Sequence, residues 1–203
     1  MPDKHDGELE QALIRGLRAG SREAWAAMYQ RYNADIWRYV ARLVGPDAGA
    51  VADIVQEVFL AAARSARQFD DSRGTLWSWL SGVAHHHVLS HWRRLAKAAK
   101  FSPLTEVEEA AAQRLFDPAT LWEELFERRR LAELVRHILS ELPDDYAALL
   151  TGKYLDDLSL DELAIRFGSS SEGVKSKLAR ARREFREKFE RVKQTQTQLT
   201  SDV

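Results

Sequence analysis

Between Val174 and Val192 apolar residues return every three or four positions, as Val174, Leu178, Ala181, Phe185, Phe189 and Val192. That spacing predicts a helix with one buried side. Its other side is cationic: nine basic residues stand between Lys175 and Lys193, against three acids. Upstream, Ser159-Leu160-Asp161-Glu162 has capping-box spacing, and Leu163, Ala164 and Phe167 continue a short helix that Gly168 can end by taking positive φ. Ser169-Ser170-Ser171-Glu172 offers a second box to the long helix. A short helix, a tight turn and a basic second helix predict a helix-turn-helix, whose second helix enters the DNA major groove by its N-terminal half.

The rest of the chain is also patterned as helix. Glu8 to Ala19 carries Leu9, Ala12, Leu13 and Leu17, and Gly20-Ser21 starts an aromatic-rich stripe running from Trp25 to Leu43 that Gly45-Pro46 ends. Val51, Ile54, Val55, Val58, Phe59 and Ala62 form the next stripe. Gln68 to Thr75 is a polar connection, and Leu76, Trp79, Leu80, Val83 and Ala84 open a helix reaching about Lys97. The fold class is therefore all-α, with a first helical domain over 1–97. An extended linker follows over 98–119, with room for one turn in Glu106 to Leu115. A second helical domain spans 120–193, with one helix to Leu142 and another opened by Pro143 in its first turn. A disordered polar tail is expected over 194–203.

Composition limits what such a chain does. No cysteine occurs among the 203 residues, which removes disulfides and thiol nucleophiles. No apolar run reaches membrane-span length, and Met1 to Asp6 lacks a signal-peptide core, so a soluble cytoplasmic protein is expected. The formal net charge of -1 is unusual for a protein that holds DNA alone, because phosphate neutralisation supplies much of such binding. Either the basic helix is only a solvated face, or something else holds it on DNA.

The first domain carries two further signals. In Asp53-Ile54-Val55-Gln56-Glu57-Val58-Phe59-Leu60 the apolar residues belong to a core, leaving Asp53, Gln56 and Glu57 exposed together. Phe69, Trp77, Trp79 and Trp92 are then interleaved with Arg64, Arg67, Arg73, Arg93, Arg94 and Lys97. Aromatic faces beside cations suit single-stranded nucleic acid, where stacking contributes about 1–3 kcal/mol per base. By its spacing from Leu76, Leu80 and Val83, Trp79 is expected in the core, and Phe69 and Trp77 are expected as the readers.

Asp53 to Phe59, Phe69-Asp-Asp-Ser-Arg-Gly-Thr-Leu-Trp77-Ser-Trp-Leu80, Val83-Ala84 and Arg93-Arg94 resemble the second domain of sigma-70-family initiation factors. Leu142-Pro143, Leu158-Ser159 through Leu163-Ala164, and Gly173 to Arg182 resemble the fourth. Two such domains with only a linker between them resemble the extracytoplasmic-function (ECF) group. The resemblance implies that Asp53, Gln56 and Glu57 dock on the clamp coiled coil of the RNA polymerase largest subunit. It implies that the loop of Phe69, Asp70, Ser72, Arg73 and Thr75 takes a flipped base of the melted minus-10 element, with Trp77, His86, Ser90, Arg93 and Arg94 near the melting edge. Ser171, Lys175, Ser176, Lys177, Arg180 and Arg182 would face the minus-35 element. The implied partners are core RNA polymerase, promoter DNA and an anti-sigma protein; no cofactor is implied.

Three positions depart from the family pattern. Ala50-Val51-Ala52-Asp53 keeps one acid where the family carries several, so Asp47, Glu57, or phosphorylation of Ser65, Ser72 or Thr75 by a Ser/Thr kinase would have to supply negative charge. His86 and Ser90 stand where Asn and Asp are common in the family. His87 and His91 make an i, i+4 pair, but no third ligand has matching spacing, so no metal site is expected. No nucleophile arrangement points to an enzyme. The competing class is a stand-alone helix-turn-helix regulator, which would bind duplex DNA without polymerase.

Overall fold

The computed structural model describes residues 4–101 and 119–201, with side chains described over 9–98 and 128–194. Eight α-helices and two 3₁₀ turns account for the regular structure among the described residues. In chain order they are α1 (Lys4–Ala19), α2 (Arg22–Val44), α3 (Ala48–Ser65), α4 (Leu76–Phe101), α5 (Ala119–Ser140), α6 (Asp144–Tyr154), α7 (Leu160–Phe167) and α8 (Ser171–Ser201). The all-α expectation holds.

Local chemistry sets most boundaries. Ser21 caps α2 by accepting from Ala24 N, and Asp47 caps α3 by accepting from Ala50 N. The Ser159–Glu162 capping box forms reciprocally, and Gly168 ends α7 in the left-handed region at φ 59°, as the sequence predicts. Three details differ. Pro143 is the residue before α6, and its fixed φ makes it an N-cap. At α8 the cap lies one residue later than the expected box: Ser170 Oγ accepts the Gly173 N–H at 3.1 Å, and Gly173 has no side chain to bond back. Helix α8 also continues through the expected tail to Ser201, where glutamines with good helix propensity extend it.

Met28, Ile36, Val40 and Leu43 of α2 are buried against Val51, Ile54 and Val58 of α3 and Leu76, Leu80 and Val88 of α4. The second half buries Ile138, Leu149, Leu163, Val174 and Leu178. The two helical halves pack on one another, and one continuous apolar cluster runs from Ile14 to Ala181. Helix α4 packs on α5, α6 and α7, and α2 on α5 and α6. The expected linker overlaps α4 at its start and α5 at its end, and Glu106 to Leu115 falls outside the described residues.

Polar contacts pin the seam between the halves. His85 is buried in α4, and its Nε2 donates to the Leu142 carbonyl at 2.9 Å, since a carbonyl can only accept. That leaves Nδ1 to accept from the buried Tyr39 hydroxyl at 3.3 Å. Arg42 donates to Leu155 O at 2.8 Å and reaches Asp156 at 3.4 Å, and the rings of Trp92 and His137 meet edge-on at 5.7 Å. Burial holds the His85 imidazole below the ordinary value, with Leu142 and Asp144 opposing.

Candidate nucleic-acid interface

After α3 the chain makes two 3₁₀ turns, Ala66–Gln68 and Asp71–Arg73. Asp70 organises the second by accepting from Ser72 N at 3.0 Å and Ser72 Oγ at 2.7 Å. These bonds, the Ser72 hydroxyl's first, draw its carboxyl below the ordinary range. Gly74 follows at φ 155°, ψ -179°, where an added Cβ would come within 2.6 Å of Ser78 Oγ. Thr75 Oγ1 accepts from Ser78 N at 3.2 Å and donates to Arg166 O at 2.7 Å, joining this loop to α7 of the other half.

The helical period of α4 then sorts the expected readers. Trp77 lies with Leu80, Ala84 and Val88 on the buried side, and it is only 6% exposed. His86, two and a half turns from Trp77, shares a different face with Ser90, Arg93 and Arg94. The expectation that places Trp77 beside them is therefore corrected, while Trp79 packs on the edge of the core as a half-buried ring: it precedes His86 by seven residues and falls on its face. Phe69 is also buried, its ring 5.1 Å from that of Trp79. Arg166 covers Trp77 from α7, its guanidinium carbon 3.6 Å from the ring centroid, and pairs with Asp35 at 3.0 Å. His86, Arg93 and Arg94 are exposed. Partial burial lowers His87 and His91, and among the described residues no group of three or more His, Cys, Asp or Glu could hold a metal.

In α8 the stripe Val174, Leu178, Ala181 is buried as predicted. The face turned directly away from it carries Ser176, Arg180 and Arg183, all exposed. Lys175 flanks it within 3.8 Å of Glu172. Lys177 turns inward to Asp145 at 2.9 Å, and Arg182 donates to Tyr154 Oη at 3.1 Å beside an apolar groove bounded by Leu139, Tyr154 and Phe185. Ser171 Oγ donates to Asp161, linking the two helices of the motif. Arg183 is absent from the residues singled out by sequence, although its spacing from Ser176 and Arg180 places it on the same face.

On α3, Asp53, Gln56 and Glu57 are exposed as expected. Beside them Tyr29, Asn33 and Trp37 of α2 and Phe59 and Leu60 of α3 line a groove of about 440 Å³. Trp37 is 41% and Leu60 44% exposed, so the face carries apolar surface where the sequence lacks acids. Of the hydroxyls considered for phosphorylation, Ser65 donates to Ala61 O and Thr75 to Arg166 O, whereas Ser72 is exposed and donates to Asp70.

A second cleft of about 440 Å³ lies where the halves meet, lined by Asp71, Ser72 and Thr75 on one side and by Phe167, Gly168 and Lys177 on the other. The loop of the first half thus faces the turn of the helix-turn-helix.

Two family models match this arrangement, Sigma-70 region 2 over residues 28–98 and Sigma-70, region 4 over residues 132–185. Together they span more than half of the chain, which belongs to the sigma-70 family of RNA polymerase sigma factors. It is of the ECF type: a DNA-binding transcription initiation factor and not an enzyme. It is similar to the ECF RNA polymerase sigma-E factor of Escherichia coli (strain K12), 27% identical over 180 residues that cover 85% of this chain and 90% of the relative. It is also similar to the probable RNA polymerase sigma-C factor of Mycobacterium bovis (strain ATCC BAA-935 / AF2122/97), 28% identical over 180 residues, 87% of this chain and 89% of that one. Among solved structures, CnrH in complex with the cytosolic domain of CnrY is 19% identical, covers 88% of this chain and 95% of that chain, and has a TM-score of 0.48. The RsbN-BldN complex is 20% identical over 86% of this chain and 97% of that chain, with a TM-score of 0.33. Among the described residues no helix is long and apolar enough to cross a membrane.

Proposed function

We propose that this sigma factor binds core polymerase through the α2–α3 face, reads the minus-35 element with α8 and opens the minus-10 element with the loop Phe69 to Thr75. The single observation that carries this is the cleft in which that loop and the helix-turn-helix turn face each other. The two promoter elements lie about 25 base pairs apart, or about 85 Å at 3.4 Å per pair. One closed cleft cannot serve both. The closed chain therefore reads neither element fully, and docking on polymerase separates the halves to the promoter spacing.

Each face suits its task. Gln56 lines the apolar Trp37–Leu60 groove, and Asp53 and Glu57 are exposed beside it on the same helix, so polar groups border apolar surface as in a protein interface. Ser176, Arg180 and Arg183 meet bases or phosphates of the minus-35 duplex. Extruding a base costs a few kcal/mol, which a pocket that stacks and hydrogen-bonds it supplies without fuel. Trp79, His86, Ser90, Arg93 and Arg94 track the strand beyond the loop.

The test mixes the protein with core polymerase and a promoter library, then sequences the transcripts and footprints the DNA. Transcripts from one promoter class, with minus-10 melting only when both proteins are present, are expected. Equal duplex binding by the protein alone would sink the proposal and return the stand-alone regulator.

A further inference from the structure

The helix α1 lies wholly before residue 28, where the match to region 2 begins, yet its side chains hold the loop at Phe69, Asp71 and Leu76. At the entry, Arg18 donates from Nε at 3.2 Å and Nη2 at 2.7 Å to the Phe69 carbonyl. In the middle, Arg18 Nη2 reaches Asp71 Oδ1 at 2.8 Å, and Gln11 Nε2 donates to Asp71 Oδ2 at 3.3 Å, so both carboxylate oxygens are taken by α1. The Arg18 bond, then that of Gln11, draws the Asp71 carboxyl below its ordinary range. At the exit, Glu10 Oε1 accepts the Leu76 N–H at 3.1 Å, satisfying a first-turn donor of α4.

These contacts differ in kind from burial. α1 anchors itself through Ile14 and Leu17, both 3% exposed, whereas Glu10, Gln11 and Arg18 spend their polar atoms on the loop. Ser72, Arg73 and Thr75 are left facing the cleft, while Asp70 fixes the turn internally. A pocket that must accept a base without rearranging gains from such prior fixing, because less order remains to be imposed at capture.

We infer that α1 is the splint of the base-capture loop and that Arg18 is its positioning residue, assigned through Phe69 O and Asp71 rather than through contact with DNA. The inference rests on the reading of that loop as the minus-10 pocket. Its ligand is an unstacked base of single-stranded DNA.

The experiment uses holoenzyme and a fluorescent single strand copied from a promoter mapped by the transcript assay. With Arg18→Ala, the Kd for that strand rises about five- to tenfold, as loss of a charged, forked hydrogen bond would produce, and affinity for core polymerase stays at the wild-type value. Arg18→Lys recovers part of the loss, since an ammonium can hold Asp71 but cannot fork onto Phe69 O. Asp70→Ala, a change within the loop itself, serves as the reference. Weakening by Asp70→Ala with no effect of Arg18→Ala overturns the splint and leaves the loop reading intact. If neither variant matters, the loop reading fails and takes the splint with it. Loss of core affinity in Arg18→Ala equal to the loss of strand binding also overturns the inference, because α1 would then be a general support.

Discussion

Arg166 lies over Trp77 with 3.6 Å between its guanidinium carbon and the ring centroid, and the same side chain pairs with Asp35 at 3.0 Å. One residue of the helix-turn-helix thereby closes both the buried tryptophan and an acid of α2. Removing it by Arg166→Ala should weaken closure by about 1–2 kcal/mol, from a partly desolvated cation–π contact and ion pair. The expected outcome is a larger radius of gyration by small-angle scattering with helix content unchanged. An unaltered radius would mean that Arg166 does not hold the halves together.

The seam should also respond to pH. His85 titrates below its ordinary value of 6.5 in the folded protein, chiefly through burial. Above that pH both folded and unfolded states are neutral there, and no stability depends on it. Below it the unfolded chain binds a proton that the folded chain refuses, so stability falls as pH drops toward the folded pKa. Denaturant unfolding between about pH 7.5 and about pH 5 should show this slope. In His85→Gln, whose amide can still donate to Leu142 O, the slope should shrink to the contribution of the less buried histidines.

On α8 the geometry separates arginines that the sequence treats alike. Arg180 and Arg183 lie on the exposed face, whereas Arg182 is bonded to Tyr154. Arg180→Ala and Arg183→Ala should each weaken holoenzyme binding to duplex minus-35 DNA and lower the salt slope by about 0.9 if the contact is to phosphate. Arg182→Ala should change the slope less; an equal change would show that Arg182 swings onto the DNA.

Docking to polymerase should rest on apolar contact. Trp37 and Leu60 stand exposed beside Gln56 where acids are scarce. Trp37→Ala should raise the Kd for core polymerase by about tenfold or more, as a buried aromatic anchor does. Titration in increasing salt should reveal only a shallow loss of affinity. A steep loss would point to the carboxylates instead.

The two tryptophans of Trp77-Ser78-Trp79 should part company. Trp77→Ala removes a buried ring and should cost about 3 kcal/mol or more of stability. Trp79→Ala, at a half-buried ring on Phe69, should cost less stability than Trp77→Ala while slowing promoter opening, followed by 2-aminopurine fluorescence at the minus-10 element. Opening at the normal rate would remove Trp79 from the melting edge.

These predictions mark where sequence reading stops. The helices, the Ser159–Glu162 box and the left-handed Gly168 were legible because each is fixed by residues a few positions apart. Asp53, Gln56 and Glu57 were legible as exposed for the same reason. Trp77 was misplaced because Trp77 and Trp79, about 200° apart on the helix, each fit an i, i+3, i+4 series with different neighbours, and only packing shows which side is fully buried. Extending the period from His86 back to Trp79 would have found the correct face. Arg18 and Arg166 carried no local signal, since the Phe69 carbonyl that Arg18 holds is 51 positions away in chain order and the partners of the Arg166 side chain, Trp77 and Asp35, lie in α4 and α2. The tail was misread because polarity was taken for disorder, although Gln-rich sequence following a formed helix can prolong it.

The unbroken core from Ile14 to Ala181 gives closure a temperature dependence. Separating the halves exposes apolar surface and so carries a positive heat-capacity change. The hydrophobic share of closure then weakens on cooling, while exposing the polar groups of the seam changes the heat capacity in the opposite sense and by less per unit area. If docking separates the halves as proposed, the joint between them carries a thermal response, and the cost of opening it shifts with temperature.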